Sequence, residues 1–440
     1  MGKTSFPQEL WLPLEREAKD AEKIERPSLT FLQDGWRRLR HNWIAMGSLV
    51  CIVLITLGAL VIPLVWPYSY EEQNLSLANL PPFMTVAPLD SDTALYVTPQ
   101  YSVVALSPEG HLKELLTPTR RDLVQKKTFY DVNGNAVVLD YGPYSKALLE
   151  FRKLQHTGKD PVLVAEVPYL RTYFAGREDR RSVTLDEARD VLEHRMDRVT
   201  LTKNGAPLDI RVRVHNKTHL LGTDGLGRDL FIRIVYGARI SLTVGILAAI
   251  INFVVGVFYG GFAGYLGGRV DNVMMRLVDT VDSIPMTLYV ILIMVVVGPG
   301  LLSIILALGL TFWIRMARLV RGQVLTLKQQ EFVKAAVVVG ANRRRIMTKH
   351  LIPNMMGPIM VNITMQIPSA IFNEAFLSFV GLGISAPMAS WGTLCNDALA
   401  GIYVYPYQMV LPAIAISVTI LTFNLLGDGL RDAFDPKLRR

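Results

Sequence analysis

The chain has 440 residues, half of them hydrophobic, and a formal net charge of +8. A mean hydropathy of +0.29, concentrated in long uncharged runs, excludes an ordinary soluble protein with one core and indicates a polytopic membrane protein. Its two cysteines, Cys51 and Cys395, lie far apart, so the sequence predicts neither a disulfide framework nor a metal site.

The first 42 residues form a polar tail that ends in a basic amphipathic segment with Trp36 and Trp43. Tryptophan side chains are enriched at membrane–water interfaces. The run from Trp43 to Trp66 carries no charge and is long enough for one crossing, which needs about 20 residues. Because this run begins too late and is too long for a cleaved signal peptide, we expect a first transmembrane helix in residues 43–67.

Residues 68–217 are polar and carry mixed charges. Alternating segments around 130–139 and 199–214, the second with a turn at Asn204–Gly205, predict β-hairpins. Between them, Thr184 and Glu187 have the spacing of a capping box at the start of a helix. We therefore expect an inserted α+β domain here.

A glycine-rich turn follows in residues 219–229, with Asp224 and Asp229 as expected caps. The pattern predicts a short amphipathic helix from Leu230 and then a second membrane span from Ile240 to about Leu266. A polar loop with salt bridges is expected over residues 269–283. The remaining predicted spans are Ile284 to Val297, Leu301 to about Trp313, about Met355 to Val380, and about Met409 to Leu426.

The segment from Glu331 to Asn354 is polar and basic, although it lies between apolar spans. Its spacing predicts two short helices, separated at Gly340, with Asn342 as the cap of the second and Pro353 as its end. The first helix has one small apolar face, which consists of Phe332, Ala335, Ala336 and Val339. By itself, such a segment is typical of a basic surface loop beside a membrane.

Four polar residues of the fifth predicted span share one helical face, namely Asn362, Gln366, Ser369 and Asn373. At about 100° per residue they fall within about 60°. Two interpretations remain open: hydrogen bonds to a partner subunit, or a translocation pathway lined by amides. Glu374 lies off this face, and a carboxylate within a span is usually paired or functional.

The distribution of Lys and Arg predicts the orientation. Eight lie in the N-terminal tail, nine in residues 315–354 and four in the last ten residues, whereas residues 298–300 and 381–408 have none. By the positive-inside rule, both termini and the Glu331–Asn354 segment are cytoplasmic. Six spans fit this arrangement and place residues 68–217 outside the cell.

Several motifs identify a family resemblance. Glu331, Ala335–Ala336, Gly340 and Leu351–Ile352–Pro353 resemble the cytoplasmic EAA loop of ABC-importer permeases, although Lys334 stands where that motif usually has glutamate. The motif GTD-x-x-GRD at residues 222–229, together with EAFLSFVGLG, WGTL and the C-terminal FNLLGDGLRDAFDPKLR, resembles the C-type permease of dipeptide, oligopeptide or nickel ABC importers.

This resemblance implies an all-α permease of type I fold with six transmembrane helices in a bacterial inner membrane. It implies three kinds of partner besides the lipid: a homologous B-type permease, two cytoplasmic ABC ATPase subunits and an extracytoplasmic solute-binding protein. ATP and Mg²⁺ would be bound by the ATPase subunits, and no cofactor by this chain. The expected domains are the tail 1–42, the helix 43–67, the inserted domain 68–217, the permease core 218–430 with its coupling loop 321–354, and the tail 431–440.

The candidate functional residues fall into two groups. Those expected to couple the chain to an ATPase are Glu331, Lys334, Ala335, Ala336, Gly340, Arg343 and Pro353. Those expected to line the pathway are Asn362, Gln366, Ser369, Asn373 and Glu374. Nothing predicts catalysis or nucleic-acid binding, since the chain has no Walker A motif, no zinc-ligand spacing and no nucleophile elbow.

Three alternatives remain. A permease of the same fold could carry nickel or another small solute. A secondary transporter would require inverted repeats or several charges within the membrane, of which Glu374 is the main example. A membrane-anchored receptor would account for the inserted domain but not for a coupling loop between two spans.

Overall fold

The computed structural model describes residues 31–174 and 180–434. The expectations for the remainder of the two tails, residues 1–30 and 435–440, lie outside these residues. Two helices begin the described chain, α1 (Phe31–His41) and α2 (Trp43–Val65). Asn42 separates them and caps α2, because its side chain accepts a hydrogen bond from the Ala45 amide.

The region between α2 and the next long helix contains two five-stranded antiparallel sheets. The twelve strands of the region are β1 (Phe83–Pro88), β2 (Ala94–Val97), β3 (Val103–Leu106), β4 (Leu112–Leu115), β5 (Arg120–Asp122), β6 (Lys127–Val132), β7 (Asn135–Asp140), β8 (Val162–Leu163), β9 (Ser182–Val183), β10 (Thr200–Lys203), β11 (Ala206–Leu208) and β12 (Val212–His215). The first sheet has the order β12-β1-β2-β3-β4 and the second has β11-β10-β7-β6-β5, while β8 and β9 form a separate pair.

Both sheets contribute to one hydrophobic core, in which Leu95 and Val103 of the first sheet pack with Tyr130 and Leu139 of the second. A second core lies under α3 (Gly142–Thr157) and α4 (Leu185–Asp190) and includes Phe151. The predicted hairpin turn at Asn204–Gly205 is confirmed. However, β12 does not extend that hairpin but pairs with β1.

The membrane part consists mainly of α5 (Leu230–Leu266), α8 (Leu301–Leu327), α11 (Ile352–Phe379) and α13 (Tyr407–Phe434). At 1.5 Å per residue, the 37 residues of α5 extend about 56 Å, well beyond the hydrocarbon thickness of about 30 Å. The predicted division between an amphipathic helix and a span is therefore wrong, since α5 is continuous. Asp229 caps its N-terminus, as expected.

Glycines bring α5 and α8 into close contact. A Cβ atom at Gly260 would lie 2.2 Å from the Ala317 carbonyl oxygen, and one at Gly256 would lie 2.5 Å from the Met316 Cβ. Small residues of this kind permit backbone approach between helices in lipid. These two helices, together with α11, form the centre of the permease part of the chain.

The polar loop predicted over residues 269–283 is instead a helix, α6 (Gly268–Asp282), which is followed by α7 (Met286–Val297) at a bend of 81°. The 12 residues of α7 cover only about 18 Å, too short for a crossing alone. The described residues thus contain five helices that are long and apolar enough to span a membrane, or six if α6 and α7 form one broken span.

The salt bridges expected in the α6 region are present. Arg321 pairs with Asp271, and Arg318 pairs with Asp279 and Asp282. These contacts fix α6 against α8.

Candidate functional site

The Glu331–Asn354 segment begins with a short helix whose apolar side chains point away from the chain's own core. This helix, α9 (Glu331–Val338), buries Val333 but leaves Val338 86% exposed. Within the predicted face, Phe332 and Ala335 are exposed and Ala336 is half-buried. The described residues therefore leave the apolar side chains of this helix largely uncovered.

Glycine ends α9 as predicted. Gly340 adopts φ = +85°, a left-handed conformation that side chains rarely tolerate. Asn342 caps the next turn, since its side chain accepts a 2.8 Å hydrogen bond from the Arg345 amide. Lys334 and Arg343 are exposed beside the apolar surface, and Glu331 lies in the first turn of α9, where the helix dipole favours a carboxylate.

The expected end of the helix at Pro353 is wrong. After α10 (Arg343–Arg345) and a π-helical stretch (Ile346–Leu351), the chain continues into α11. Pro353 lies in the first turn of α11, directly after the π-helical stretch, where the regular i→i−4 hydrogen-bond pattern is already interrupted. The second half of the segment is therefore continuous with the fifth predicted span.

Two cavities lie along the polar face of α11. The first has a volume of about 560 Å³, and its polar wall includes Gln366, Ser369 and Asn373. The second, of about 470 Å³, is lined by Asn362, Gln366 and Ser369. The four residues predicted to share a face thus all contact open space, and Gln366 and Ser369 contact both cavities.

The hydrogen bonds of this face leave some acceptors unused. Asn373 donates through Nδ2 to the Ser369 carbonyl at 2.7 Å, and Gln366 donates weakly through Nε2 to the Phe312 carbonyl at 3.5 Å. Among the described residues, the buried Oε1 of Gln366 and Oδ1 of Asn362 have no hydrogen-bond partner. The face therefore contains two amide oxygens that have neither a donor nor exposed surface, and only rotation of their side chains would bring them to the cavities.

Glu374, the fifth residue expected to line the pathway, lies away from both cavities. Its carboxylate is fully buried and accepts 2.8 Å hydrogen bonds from the hydroxyls of Ser241 on α5 and Ser378 on α11. It belongs to neither set of cavity-lining residues. Its carboxylate joins two helices instead, which satisfies a group that would be costly to leave unpaired in the membrane.

Sequence reasoning missed the charged residues of the cavities. Asp282 and Arg315 line the first cavity, and Arg315 and Arg431 line the second. Arg315 was counted only as part of the cytoplasmic positive charge. Thr311, four residues earlier, also lines the first cavity, and this i, i+4 spacing was the signal that could have located the polar stripe of α8.

A buried ionic cluster lies before α5, in the GTD-x-x-GRD turn. Asp224 accepts a 2.7 Å hydrogen bond from Arg228 Nε and a second short one from Arg233. Asp397, on the short helix α12 (Trp391–Ala398), lies 3.4–3.5 Å from both guanidinium groups. Three segments of the chain meet at these charges.

The same turn is joined to the sheets and to α13. The single hydroxyl hydrogen of Tyr407 is shared between the carbonyl oxygens of Leu80 (3.0 Å) and Thr223 (3.1 Å). At Gly227, a Cβ atom would lie 1.8 Å from the Asn74 carbonyl oxygen, which excludes any side chain. The motif thus has a structural role, because it holds the inserted region against the membrane helices.

Comparison with known proteins extends this description. Residues 253–440 match the family described as binding-protein-dependent transport system inner membrane component, and residues 30–82 match the N-terminal TM domain of oligopeptide transport permease C. The dipeptide transport system permease protein DppC of Bacillus subtilis is 52% identical over 248 residues, which cover 56% of this chain and 75% of that protein.

A second relative gives a similar match in sequence. The oligopeptide transport system permease protein OppC of Bacillus subtilis is 51% identical over 225 residues, 51% of this chain and 74% of that protein. Among solved structures, the MetNI methionine ABC transporter in an inward-facing conformation is 20% identical, with a TM-score of 0.40 and coverage of 47% of this chain and 98% of that chain. The chain therefore belongs to the family of binding-protein-dependent transport system inner membrane components, the permease subunits of ABC importers.

Proposed function

We propose that this chain is the C-type permease of a peptide importer and forms a translocation pathway with a homologous B-type permease. Two relatives that are about half identical to it are named as dipeptide and oligopeptide permeases. The structural observation that supports the proposal is the row of three amides and one hydroxyl along α11 that lines two neighbouring cavities. Such groups match the hydrogen-bonding pattern of a peptide backbone.

The energy for transport comes from partner subunits in this proposal. ATP and Mg²⁺ are bound by two cytoplasmic ATPase subunits, and this chain has no catalytic role. Its helix α9 docks on one of them, with the exposed Val338 in the contact. Lys334, Arg343 and the neighbouring arginines surround this apolar surface and favour an acidic rim on the partner.

We further propose six crossings, with α6 and α7 together as the third, and cytoplasmic termini in a bacterial inner membrane. The positive charges of residues 315–354 support this orientation. Residues 68–217 then lie outside the cytoplasm, where an extracytoplasmic solute-binding protein releases its bound solute to the permease. The hydrogen bonding of the Tyr407 hydroxyl to the Leu80 and Thr223 carbonyls would hold this region at the extracytoplasmic opening of the pathway.

A single exposed position tests the docking surface. Changing Val338→Glu places a carboxylate in the proposed apolar contact, where its desolvation costs more than 1.4 kcal/mol. We expect the affinity for the ATPase subunit to fall at least about tenfold and peptide-stimulated ATP hydrolysis to be lost. Co-purification and ATPase rates of the reconstituted importer measure both effects.

The matched control is Val124→Glu, because Val124 is also 86% exposed but lies in the turn between β5 and β6. Neither substitution removes packing within the chain, so both variants should fold. The docking proposal is refuted if Val338→Glu binds the ATPase subunit and stimulates hydrolysis as well as Val124→Glu does.

A further inference from the structure

Arg315 lies where the two cavities meet. Together with Gln366 and Ser369, it is one of the three residues that line both. Among the described residues, the charged groups besides Arg315 are Asp282 in the first cavity and Arg431 in the second. The residues that line both cavities are therefore one arginine and two uncharged polar residues.

The guanidinium group of Arg315 forms no ion pair within the described chain. Its side chain is exposed, and it has no hydrogen-bond or ion-pair partner in residues 31–174 and 180–434. Arg318, three residues further along α8, has two partners, Asp279 at 2.8 Å and Asp282 at 2.7 Å. The carboxylate of the first cavity is thus engaged by Arg318, which leaves Arg315 available to an external anion.

Unused acceptors lie beside this cation. Gln366 is only 7% exposed, yet its Oε1 has no donor among the described residues, and the same holds for the buried Oδ1 of Asn362. A buried amide oxygen without a donor is destabilising. These two oxygens have almost no exposed surface, so a ligand reaches them only when the amide side chains turn toward the cavities, and a ligand that brings N–H groups to this wall favours that rotation.

We propose that Arg315 binds the free carboxylate of the transported solute while the amide oxygens of Gln366 and Asn362 accept its N–H groups. The ligand class is a peptide with an unmodified C-terminus, because a guanidinium group binds a carboxylate through two parallel hydrogen bonds. Arg431, on the second cavity, offers the next cation toward the proposed cytoplasmic end. This inference rests on the proposed function, which makes the cavities a pathway.

The test measures the charge preference of the junction directly. In the assembled importer, with Cys51 and Cys395 replaced by serine, Ser369→Cys is treated with an anionic and a cationic methanethiosulfonate reagent. A unit charge within a few ångströms in water changes each labelling rate about threefold, in opposite directions. Adding Arg315→Gln should therefore lower the anionic-to-cationic rate ratio about tenfold.

Two further variants control for side effects. Arg315→Lys keeps the charge and should keep the ratio. Arg276→Gln removes an exposed arginine of α6 that lines neither cavity, and it should leave the ratio unchanged. If Arg315→Gln also leaves the ratio unchanged, the inference is overturned, whatever happens to uptake.

Uptake supplies the second measurement. Proteoliposomes with the binding protein in excess are given radiolabelled alanine peptides of two to five residues with free C-termini. We expect Arg315→Gln to lower the maximal uptake rate at least about fivefold relative to Arg276→Gln, and equal rates would contradict the inference.

The failures of the two proposals are distinguishable. If Ser369→Cys reacts with neither reagent, the cavities are not a water-filled pathway and the proposed function itself is wrong. If it reacts with both without any charge preference, the pathway stands and only the role of Arg315 is lost.

Discussion

The buried cluster around Asp224 provides a measurable prediction about stability. In the change Asp224→Asn, the side chain keeps its shape and the oxygen that accepts from the Leu226 and Arg228 amides, but it loses its negative charge. The side chains of Arg228 and Arg233 are 8% and 3% exposed. Their remaining carboxylate is Asp397, at 3.4–3.5 Å, and it is itself half-exposed.

The expected loss follows from burial. Breaking a buried ion pair by removing one partner costs about 3–5 kcal/mol, because the other charge stays desolvated. At about 2–4 °C per kcal/mol, the midpoint of thermal unfolding should fall by roughly 6–20 °C. Heating the purified permease pair in detergent and measuring the remaining monodisperse fraction gives this midpoint.

Asp279→Asn is the matched control. It removes the same charge from an arginine pair in which the Arg318 and Asp279 side chains are 43% and 66% exposed, so the expected cost is about 0–1 kcal/mol. Combining Asp224→Asn with Arg233→Gln should recover part of the loss, since one unpaired buried charge disappears. Equal midpoints for Asp224→Asn and Asp279→Asn would refute the argument.

Two other substitutions test the packing and the capping. Gly260→Ala should destabilise the permease by about 1–3 kcal/mol, because the new Cβ meets the Ala317 carbonyl oxygen at 2.2 Å. The control is Gly322→Ala, because no atom outside its own helix backbone lies within 4 Å of the added Cβ, and it should be neutral or stabilising in the same thermal assay. Similar unfolding midpoints for Gly260→Ala and Gly322→Ala would contradict the packing argument. Thr184→Ala should lower the local stability of α4 by about 1 kcal/mol, because it removes the side-chain oxygen that accepts a hydrogen bond from the Glu187 amide. The rate of amide hydrogen exchange in α4 should therefore rise. An unchanged exchange rate would show that the cap is dispensable.

The sequence alone located the features that depend on local interactions. The apolar run from Trp43 predicted α2, the pair Thr184 and Glu187 predicted the capping box, and both are confirmed. The positive φ of Gly340 and the cap at Asn342 were also predicted. Each of these depends on a few neighbouring residues, so no distant contact can change it.

Helix continuity was harder to predict. Residues 269–283 were expected to form a loop, although Val270, Met274, Leu277 and Val281 recur at helical spacing and favour the helix that forms. Only the partners of its aspartates, Arg318 and Arg321 of α8, lie 36 to 50 residues away and could not be predicted from the segment. Likewise, β12 pairs with β1 rather than with its neighbour β11. Such partners are brought together by the fold and leave no periodic signal in their own segments.

The sequence by itself determined which residues of α11 share a polar face, because a helix of 3.6 residues per turn fixes that geometry. Only the tertiary structure decided that this face meets open cavities beside Gln366 and Asn373, and that Glu374, off the face, meets the hydroxyls of Ser241 and Ser378. It also decided that Arg315 has no ion-pair partner among the described residues, while Arg318, on the next turn, is neutralised by aspartates. The reason is physical: a polar side chain in a membrane takes whatever partner the neighbouring helices provide, and the arrangement of those helices is a property of the whole fold.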